Sequence, residues 1–143
     1  MYDTVFVPTD GSARSRAAAR RAIDLASAYG AAIHVLAVVD VGDLGLWTAA
    51  DVPVERVRTS LRDAAEMAVE EVASLAGDAG VDCETEIRIG VPYREILDAV
   101  AEADADLVVM ATQGRTGLEH AILGSTTERV VRLAEVPVLT VRE

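Results

Sequence analysis

The segment GRTGLEHAILGSTTERVV, residues 114–131, combines glycines and hydroxyl groups with the start of a helical pattern. Gly114 and Gly117 allow the backbone to turn its N–H groups toward one point and let a bulky anion approach closely. Gly124 stands where the helix begins, so unpaired N–H groups and the helix dipole meet there. Three hydroxyl residues follow it directly: Ser125, Thr126 and Thr127. The pattern predicts a phosphate-binding segment, although the same residues also suit a tight turn that only leads into a helix.

The charge of this segment agrees with an anionic ligand. Residues 111–133 contain three arginines and two glutamates, a net charge of +1 in a chain whose formal net charge is -11. The whole chain contains no lysine, so the segment is not a Walker A loop, whose lysine contacts the phosphates. It also lacks the GxGxxG spacing of a dinucleotide-binding loop. Backbone N–H groups and hydroxyls therefore remain, beside the arginines, as donors for a phosphate group.

A second residue with chemical potential, Asp10, follows the first apolar segment of the chain. A carboxylate in this position suits hydrogen bonds from ribose hydroxyls, as acidic residues accept them in other nucleotide-binding folds. An aspartate in a turn also caps the backbone N–H groups that follow it. The residues alone leave both interpretations of Asp10 open.

Residues for covalent or metal-assisted catalysis are sparse. Ser125 and His120 lie close in sequence, but no GxSxG elbow surrounds the serine, so no acyl-transfer triad is expected. His34, His120 and Cys83 fit packed or solvated positions better than a metal site. Without lysine, Schiff-base chemistry and lysine-assisted phosphoryl transfer are excluded. We therefore predict no catalytic residues and no metal ligands, and we rank a slow ATPase or nucleotidyl-transfer enzyme last.

The composition indicates one folded domain, residues 1–143. Hydrophobic residues make up 51% and charged residues 26% of the chain, which is typical of a globular protein. No apolar run approaches the roughly 18 residues of a membrane span, and the first residues do not resemble a signal peptide. Together with a lone cysteine, these features predict a cytoplasmic protein.

The acidic charge balance narrows the choice of partners. A net charge of -11 and a pI of about 4.5 disfavour nucleic acid and anionic membranes. Excess carboxylate without lysine further suggests a halophilic protein, since concentrated salt screens the self-repulsion. Four arginines of the first helix are expected to pair with surface carboxylates: Arg14, Arg16, Arg20 and Arg21.

Strand and helix patterns alternate along the chain. Five short segments are predicted as strands: TVFVP, AAIHVLAVVD, CETEIRI, ADLVVMA and VPVLTV. Helical patterns lie between them, with Gly30 ending the first helix and Pro92 opening the third. This order predicts a doubly wound α/β domain, in which helices cover both faces of a five-stranded parallel sheet. If the first and fourth strands are neighbours, residues 9–12 and 112–125 form one ligand crevice.

Two end motifs carry a family resemblance. VPTDGS near the start and ATQGRTGLEHAILGSTTERVVRLAEVPVLTV near the end are similar to the universal stress protein family. Nucleotide-binding members of that family show a glycine, two residues, a glycine, nine residues, and then glycine with serine or threonine. The corresponding positions here are Ala111, Gly114, Gly124 and Ser125. The resemblance covers the whole chain in the order of its elements.

The resemblance implies a sheet ordered 3-2-1-4-5, a homodimer, and ATP bound between the first and fourth strands. Adenine and ribose would be flanked by Pro8, Thr9, Asp10 and Val38. Ribose and phosphates would be held by Met110, Ala111, Gly114, Gly124, Ser125, Thr126 and Thr127. The family order places the last strand at a sheet edge, and exposed apolar edges pair with other chains. The homodimer is therefore expected to form through Val138, Leu139 and Val141.

Ala111 departs from the family pattern because it replaces the first glycine. If this position needs only close approach of the backbone to the ligand, one methyl group is accommodated. If it needs a left-handed conformation, alanine costs about 1 kcal/mol or more, and nucleotide binding is weakened.

The resulting hypothesis is a protein that binds ATP, with Mg²⁺, as a regulatory ligand with little or no hydrolysis. It includes a regulatory protein partner whose identity the residues do not indicate. The alternative keeps the fold and the dimer without the nucleotide, and acts as a stress-related interaction module. The alanine at position 111 bears on the choice between these two hypotheses, because it departs from the nucleotide-binding pattern. The lack of catalytic residues in the sequence disfavours a slow ATPase.

Overall fold

The computed structural model describes residues 2–42, 53–113 and 123–142. Five strands are present there: β1 (Thr4–Pro8), β2 (Ala32–Asp40), β3 (Cys83–Gly90), β4 (Leu107–Ala111) and β5 (Val138–Val141). Helices alternate with them: α1 (Ala13–Tyr29), α2 (Val54–Asp78), α3 (Pro92–Glu102) and α4 (Ser125–Leu133). None of these helices is long and apolar enough to cross a membrane. The predicted alternation of strand and helix is confirmed in these ranges.

The strands form one parallel sheet in the order β3-β2-β1-β4-β5, as predicted. The middle strand, β1, pairs with β2 on one side and with β4 on the other. All residues of β4 are buried, which is typical of an interior strand of a parallel sheet. The two edge strands, β3 and β5, are more exposed. The most continuously apolar segments of the sequence therefore lie inside the sheet.

Alternate strand residues fill two cores on opposite faces of the sheet. The first core lies under α1 and α2 and takes Val5 from β1 and Val72 from α2. The second lies under α3 and α4 and takes Phe6 from β1 and Val130 from α4. Helices thus cover both faces, and the doubly wound α/β architecture is confirmed.

α1 faces the sheet with small side chains. Its fully buried hydrophobic positions are all alanines: Ala18, Ala19, Ala22 and Ala26. Short side chains let the helix backbone approach the sheet closely, and α1 contacts both β1 and β4. Because protein interiors are close-packed, larger side chains at these positions would displace the helix.

Both ends of α1 follow from the local sequence. Ser12 is the N-cap, and its side chain accepts the N–H of Ser15 at 3.2 Å. At the other end Gly30 adopts the left-handed conformation, with φ 68°, and its N–H donates to Ala26 O. Glycine is suited to this position because it has no Cβ to clash. The helix end predicted at Gly30 is confirmed.

A charged network covers the face of β2 and β3 next to α3. His34 stacks on Phe6 with ring centroids 5.2 Å apart, and its Nε2 lies 2.8 Å from Glu86 Oε1. Arg88 contacts Glu86 and donates from Nη1 to Glu102 Oε2 at 3.1 Å. Burial would raise the pKa of Glu86, but hydrogen bonds from Arg88 and His34 outweigh it and hold that pKa below its ordinary value. His34 is therefore a packed strand residue, as predicted.

Asp106 joins the amino ends of β1 and β4. Its Oδ2 accepts the N–H of Asp3 at 2.8 Å and the N–H of Thr4 at 2.9 Å. Its own N–H donates to Thr4 O at 2.9 Å. The hydrogen bonds from Thr4 and Asp3 hold the pKa of Asp106 below its ordinary value, because they favour the ionised carboxylate. These hydrogen bonds fix the register of β1 against β4 at their amino ends.

We predict that Asp106→Asn lowers the free energy of unfolding at neutral pH, since an amide accepts the two N–H groups more weakly than a carboxylate. The folded pKa of Asp106 is depressed, so its contribution is present above its unfolded pKa and is lost as the pH falls through its folded pKa. The difference in urea midpoint between wild type and variant should therefore be largest near neutral pH and shrink in acid. Asp98→Asn, on the exposed face of α3, serves as the control, and a difference that persists in acid would contradict the prediction.

Candidate functional site

The carboxyl ends of β1 and β4 meet where the strand order reverses. The two strands pair directly, for example at Phe6 and Val108. The chain leaves β1 toward β2 on one side, whereas after β4 it continues to β5 on the other. Open α/β sheets bind their ligands at such a point. Residues 9–12 and residues 112–113 therefore lie at the same end of the sheet, on either side of the predicted crevice.

The loop after β1 is held together by its own hydroxyl groups. Thr9 is buried, and its N–H donates to Leu36 O at 2.8 Å. Its Oγ1 accepts the N–H of Gly11 at 3.2 Å and lies 3.1 Å from the Oγ of Ser15. Ser15 in turn donates from Oγ to Ser12 O at 2.9 Å. The side chain of Thr9 therefore shapes the loop from inside.

Asp10 lies at the tip of this loop and is half-buried. Its Oδ1 accepts the N–H of Ser12 at 2.9 Å, which is the turn role that the sequence left open. Gly11, between these two residues, has φ 80°, a value that glycine adopts without strain. A carboxylate has about four acceptor sites, so the turn bond and a contact to ribose are compatible.

Two hydrogen bonds fix the start of α4 over the end of β4. The N–H of Gly124 donates to Thr112 O at 2.7 Å. Thr127, only 3% exposed, donates from Oγ1 to Ala111 O at 2.9 Å. The hydroxyl of Thr127 is thus engaged inside the fold. Any contact of Thr127 with a ligand would therefore run through its backbone N–H.

Gly124 is the N-cap of α4 and makes no capping side-chain hydrogen bond. Its φ of -67° and ψ of 163° are open to any residue, so the backbone conformation does not require glycine. The helical ladder begins with the N–H of Glu128, which donates to Gly124 O at 2.9 Å, and the N–H groups before it have no acceptor within the helix. Ser125 is exposed and Thr126 partly exposed. The first turn therefore offers both N–H groups and hydroxyls at the edge of the crevice.

Ala111 is the last residue of β4 and pairs with Val141 of β5. Among the described non-glycine residues, positive φ occurs at Asp104 and not at Ala111. Ala111 therefore does not adopt the left-handed conformation in this structure. By strand alternation the methyl group shares the face of Val109, in the core under α1 and α2.

Three apolar residues lie on the opposite face, at the carboxyl ends of adjacent strands. Met110 of β4 belongs to the core under α3 and α4, and Val38 of β2 packs against that core. Pro8 is buried and follows Phe6 by two residues, so it points to the same face. These three apolar side chains, referred to below as the apolar wall, share one face of the sheet, and apolar side chains suit the planar ring of a base.

A contact that sequence reasoning did not predict joins the two loops. Arg14, at the start of α1, donates from Nη1 to Gln113 Oε1 at 3.0 Å. Gln113 follows β4 and is 9% exposed, so the bond links the start of α1 to the end of β4. No spacing rule connects two residues that are so distant in sequence, and the sequence therefore contains no signal for this pair.

The arginines of α4 have separate partners. Arg132 donates from Nε to Glu128 Oε1 at 2.9 Å, one turn earlier on the helix. The guanidinium of Arg129 lies 5.0 Å from the centre of the Tyr93 ring, a cation–π contact. Within α4, Arg132 therefore pairs with a glutamate, whereas Arg129 contacts an aromatic ring.

Most of the predicted binding residues are among those that the structure describes. Gly114 lies outside the described residues, as do Arg115 and Gly117. The other predicted positions lie at the ends of β1, β2 and β4 and at the start of α4: Pro8, Thr9, Asp10, Val38, Met110, Ala111, Gly124, Ser125, Thr126 and Thr127. The described residues contain no group of three or more His, Cys, Asp or Glu side chains that could hold a metal ion.

A doubly wound sheet with an uncapped helix start and an acidic loop at its switch point is a fold of the nucleotide-binding type. Residues 1–142 match the family model described as the universal stress protein family. The chain belongs to the universal stress protein family, which confirms the resemblance seen in its two end motifs.

Individual relatives extend this result. Universal stress protein MJ0531 of Methanocaldococcus jannaschii is 39% identical over 149 residues, covering 100% of this chain and 84% of that protein. The solved structure of the hypothetical protein MJ0577 shares the fold, with a TM-score of 0.87 at 24% identity, covering 100% of this chain and 97% of that chain. A universal stress protein solved in complex with cAMP has a TM-score of 0.70 at 27% identity, covering 99% of this chain and 97% of that chain.

We predict that Thr127→Val lowers the free energy of unfolding by about 1–3 kcal/mol, because Ala111 O would lose a buried donor. Valine preserves the volume of threonine, so the change reports mainly on the hydrogen bond. Urea denaturation measures the effect. Thr59→Val is a matched control, since Thr59 also donates from Oγ1 to a backbone oxygen at 2.9 Å, but from an exposed position on α2. Similar losses in the two variants would show that the bond of Thr127 has no special role in the site.

Proposed function

We propose that this protein binds ATP, with Mg²⁺, in the crevice between β1 and β4, as a regulatory ligand that it hydrolyses little or not at all. The observation that carries the proposal is the start of α4. Gly124 contributes no capping side chain and its N–H donates to Thr112 O, so the first turn of α4 starts beside the end of β4. Helix starts of this kind bind phosphate groups. The universal stress protein solved with cAMP supports a nucleotide as the class of ligand.

In this proposal the base and the ribose bind to different residues of the crevice. Adenine packs against the apolar wall of Pro8, Val38 and Met110. These side chains provide apolar contact area but no hydrogen bonds that would select adenine over another base. Asp10 accepts a ribose hydroxyl in addition to the N–H of Ser12. The base and ribose would then lie on the face of the sheet next to α3 and α4.

The phosphates would lie at the first turn of α4. Ser125 and Thr126 offer N–H groups and hydroxyls there, whereas Thr127 offers its N–H alone because its hydroxyl donates to Ala111 O. The methyl group of Ala111 shares the face of α1 and α2 and therefore points away from the apolar wall. Its presence in place of glycine is compatible with a bound base.

Mg²⁺ would reach the site bound to the phosphates. Protein sites hold this ion through one or two carboxylates together with phosphate oxygens, rather than through a dedicated cage of side chains. Among the described residues, no group of three or more His, Cys, Asp or Glu side chains could hold a metal ion. ATP would therefore supply much of the coordination of the ion.

The proposed regulatory role rests on the sparse catalytic residues of the sequence. Hydrolysis needs a residue that positions or deprotonates a water, together with cations on the transferring phosphoryl group. The chain has no lysine, and His34 is packed between Phe6 and Glu86. Bound ATP would thus persist in the cytoplasm long enough to be read by a protein partner.

We further propose that two copies of the chain pair along β5. This strand is an edge of the sheet and pairs with β4 on one side. Leu139 at its centre is 42% exposed although it is apolar, while Val138 and Val141 are half-buried. A two-fold axis at this edge would pair β5 antiparallel with its copy and cover Leu139.

The nucleotide proposal predicts that calorimetry with Mg²⁺ in high-salt buffer detects tighter binding of ATP than of adenosine. Ser125→Ala should weaken ATP binding by about 1–2 kcal/mol, the value of one charge-assisted hydrogen bond. Gly124→Val should weaken it severely, because a branched side chain blocks close approach of the phosphates. Asp10→Ala should weaken ATP and adenosine by the same factor, since it acts on the ribose.

Two controls accompany these variants. Ser60→Ala removes an exposed serine hydroxyl from α2 and should leave ATP binding unchanged. Ala111→Gly should change it little, because Ala111 already has ordinary strand geometry. If neither wild type nor Ala111→Gly binds ATP, the proposal fails and the interaction-module hypothesis remains. ATP hydrolysis should stay negligible over hours in all variants.

The dimer proposal predicts that Leu139→Lys yields monomers in light scattering. A lysine at this position would place a charge in the apolar contact between two β5 strands. Met67→Lys, on the exposed side of α2, introduces the same charge at another exposed apolar residue and should leave the dimer intact. A dimer that survives Leu139→Lys would place the interface elsewhere.

A further inference from the structure

Arg16 joins the loop after β1 to α2. From the start of α1 its Nη1 donates to Gly11 O at 2.9 Å. Its Nε lies 3.4 Å from Glu71 Oε1 of α2. The side chains of Arg16 and Glu71 are 34% and 44% exposed. One arginine side chain therefore connects three elements: the loop, α1 and α2.

α2 also packs against the loop at Gly11. A Cβ atom on Gly11 would lie 3.5 Å from the Cβ of Ala68. Ala68 is buried and stands three residues before Glu71, so both residues lie on the same face of α2. The loop is thus packed between its own helix and α2, with Arg16 bonded to it from the outside.

The peptide unit that Arg16 contacts is the one that orients Asp10. Gly11 O and the N–H of Ser12 belong to the same planar peptide, so fixing one end fixes the other. Arg16 donates to the carbonyl end, and the N–H end donates to Asp10 Oδ1 at 2.9 Å. A charged donor on the carbonyl also polarises the peptide, which strengthens the N–H as a donor. The carboxylate of Asp10 is therefore held by a chain of two hydrogen bonds that begins at Arg16.

We propose that Arg16 is a positioning residue for Asp10. It fixes the Gly11–Ser12 peptide so that the Asp10 carboxylate keeps its orientation at the crevice, and its pairing with Glu71 makes that orientation depend on the position of α2. The inference rests on the proposed nucleotide site in so far as Asp10 contacts the ribose. The part that concerns the loop itself holds without any ligand.

The first experiment uses the unliganded protein. Arg16→Met removes both polar contacts while keeping an unbranched side chain, and NMR measures hydrogen exchange at the Ser12 amide. We expect exchange to rise about tenfold, as for the loss of a hydrogen bond to a charged group. Arg62→Met is the matched control, because Arg62 forms an exposed ion pair with Glu66 on α2. It should leave the Ser12 amide unchanged.

The second experiment measures the affinities for ATP and adenosine by calorimetry. Arg16→Met should weaken both by the same factor, about five- to tenfold, since it acts through the ribose contact. In an Asp10→Ala background the same substitution should cause no further loss, because the two residues act as one unit. Glu71→Gln should weaken binding about two- to threefold in dilute buffer and not at all in molar KCl, as an exposed ion pair is screened.

Arg16→Lys keeps the charge but not the planar fork that reaches two partners, so it should give intermediate values and replaces Arg16→Met if that variant does not fold. Unchanged exchange at Ser12 in the Arg16 variants would overturn the proposal. A loss of affinity that persists in the Asp10→Ala background would also overturn it. If wild type binds neither ATP nor adenosine, the proposed function fails, and the exchange experiment alone decides whether Arg16 positions the loop.

Discussion

The parallel pairing of β1 with β4 is the contact on which the rest of the structure depends. These strands come from opposite parts of the chain, and their pairing places the loop after β1 beside the residues after β4. At the amino end Asp106 fixes their relative start through Asp3 and Thr4. Because a slip of one residue would turn every side chain of a strand to the other face, this register also decides that Met110 shares the face of Pro8. The crevice is a consequence of the register.

Local patterns in the sequence account for the elements of the fold. A run of apolar residues predicts each buried strand, and Gly30 and Pro92 mark helix ends through backbone preferences that hold in any context. The order of the strands came from the family resemblance, since periodicity within a segment carries no information about its neighbours. The network of His34, Glu86 and Arg88 could not be predicted either, because it depends on the register between two strands.

The candidate site likewise contains features that the sequence predicts and features that it does not. Glycine and hydroxyls before a helical pattern predicted the start of α4, and this feature needs only short-range geometry. The hydrogen bond from Thr127 to Ala111 O could not be predicted, because the sequence does not show which threonine at a helix start will be buried. The pairing expected between arginines of α1 and carboxylates holds for Arg16 with Glu71, whereas Arg14 contacts an amide. Contacts of this kind depend on where α1 and α2 lie against the sheet.

The alanine face of α1 determines which parts of the crevice can change independently. Methyl groups set the spacing between this helix and the sheet, and the helix begins at the cap of the loop that carries Asp10. An added methylene at Ala18 or Ala22 would therefore shift that loop together with the helix. At the start of α4 the side chain of Ser125 is exposed and that of Thr126 is partly exposed, so these two can change without moving the helix. Substitutions would therefore accumulate at the start of α4, while the loop of Asp10 would evolve only together with α1.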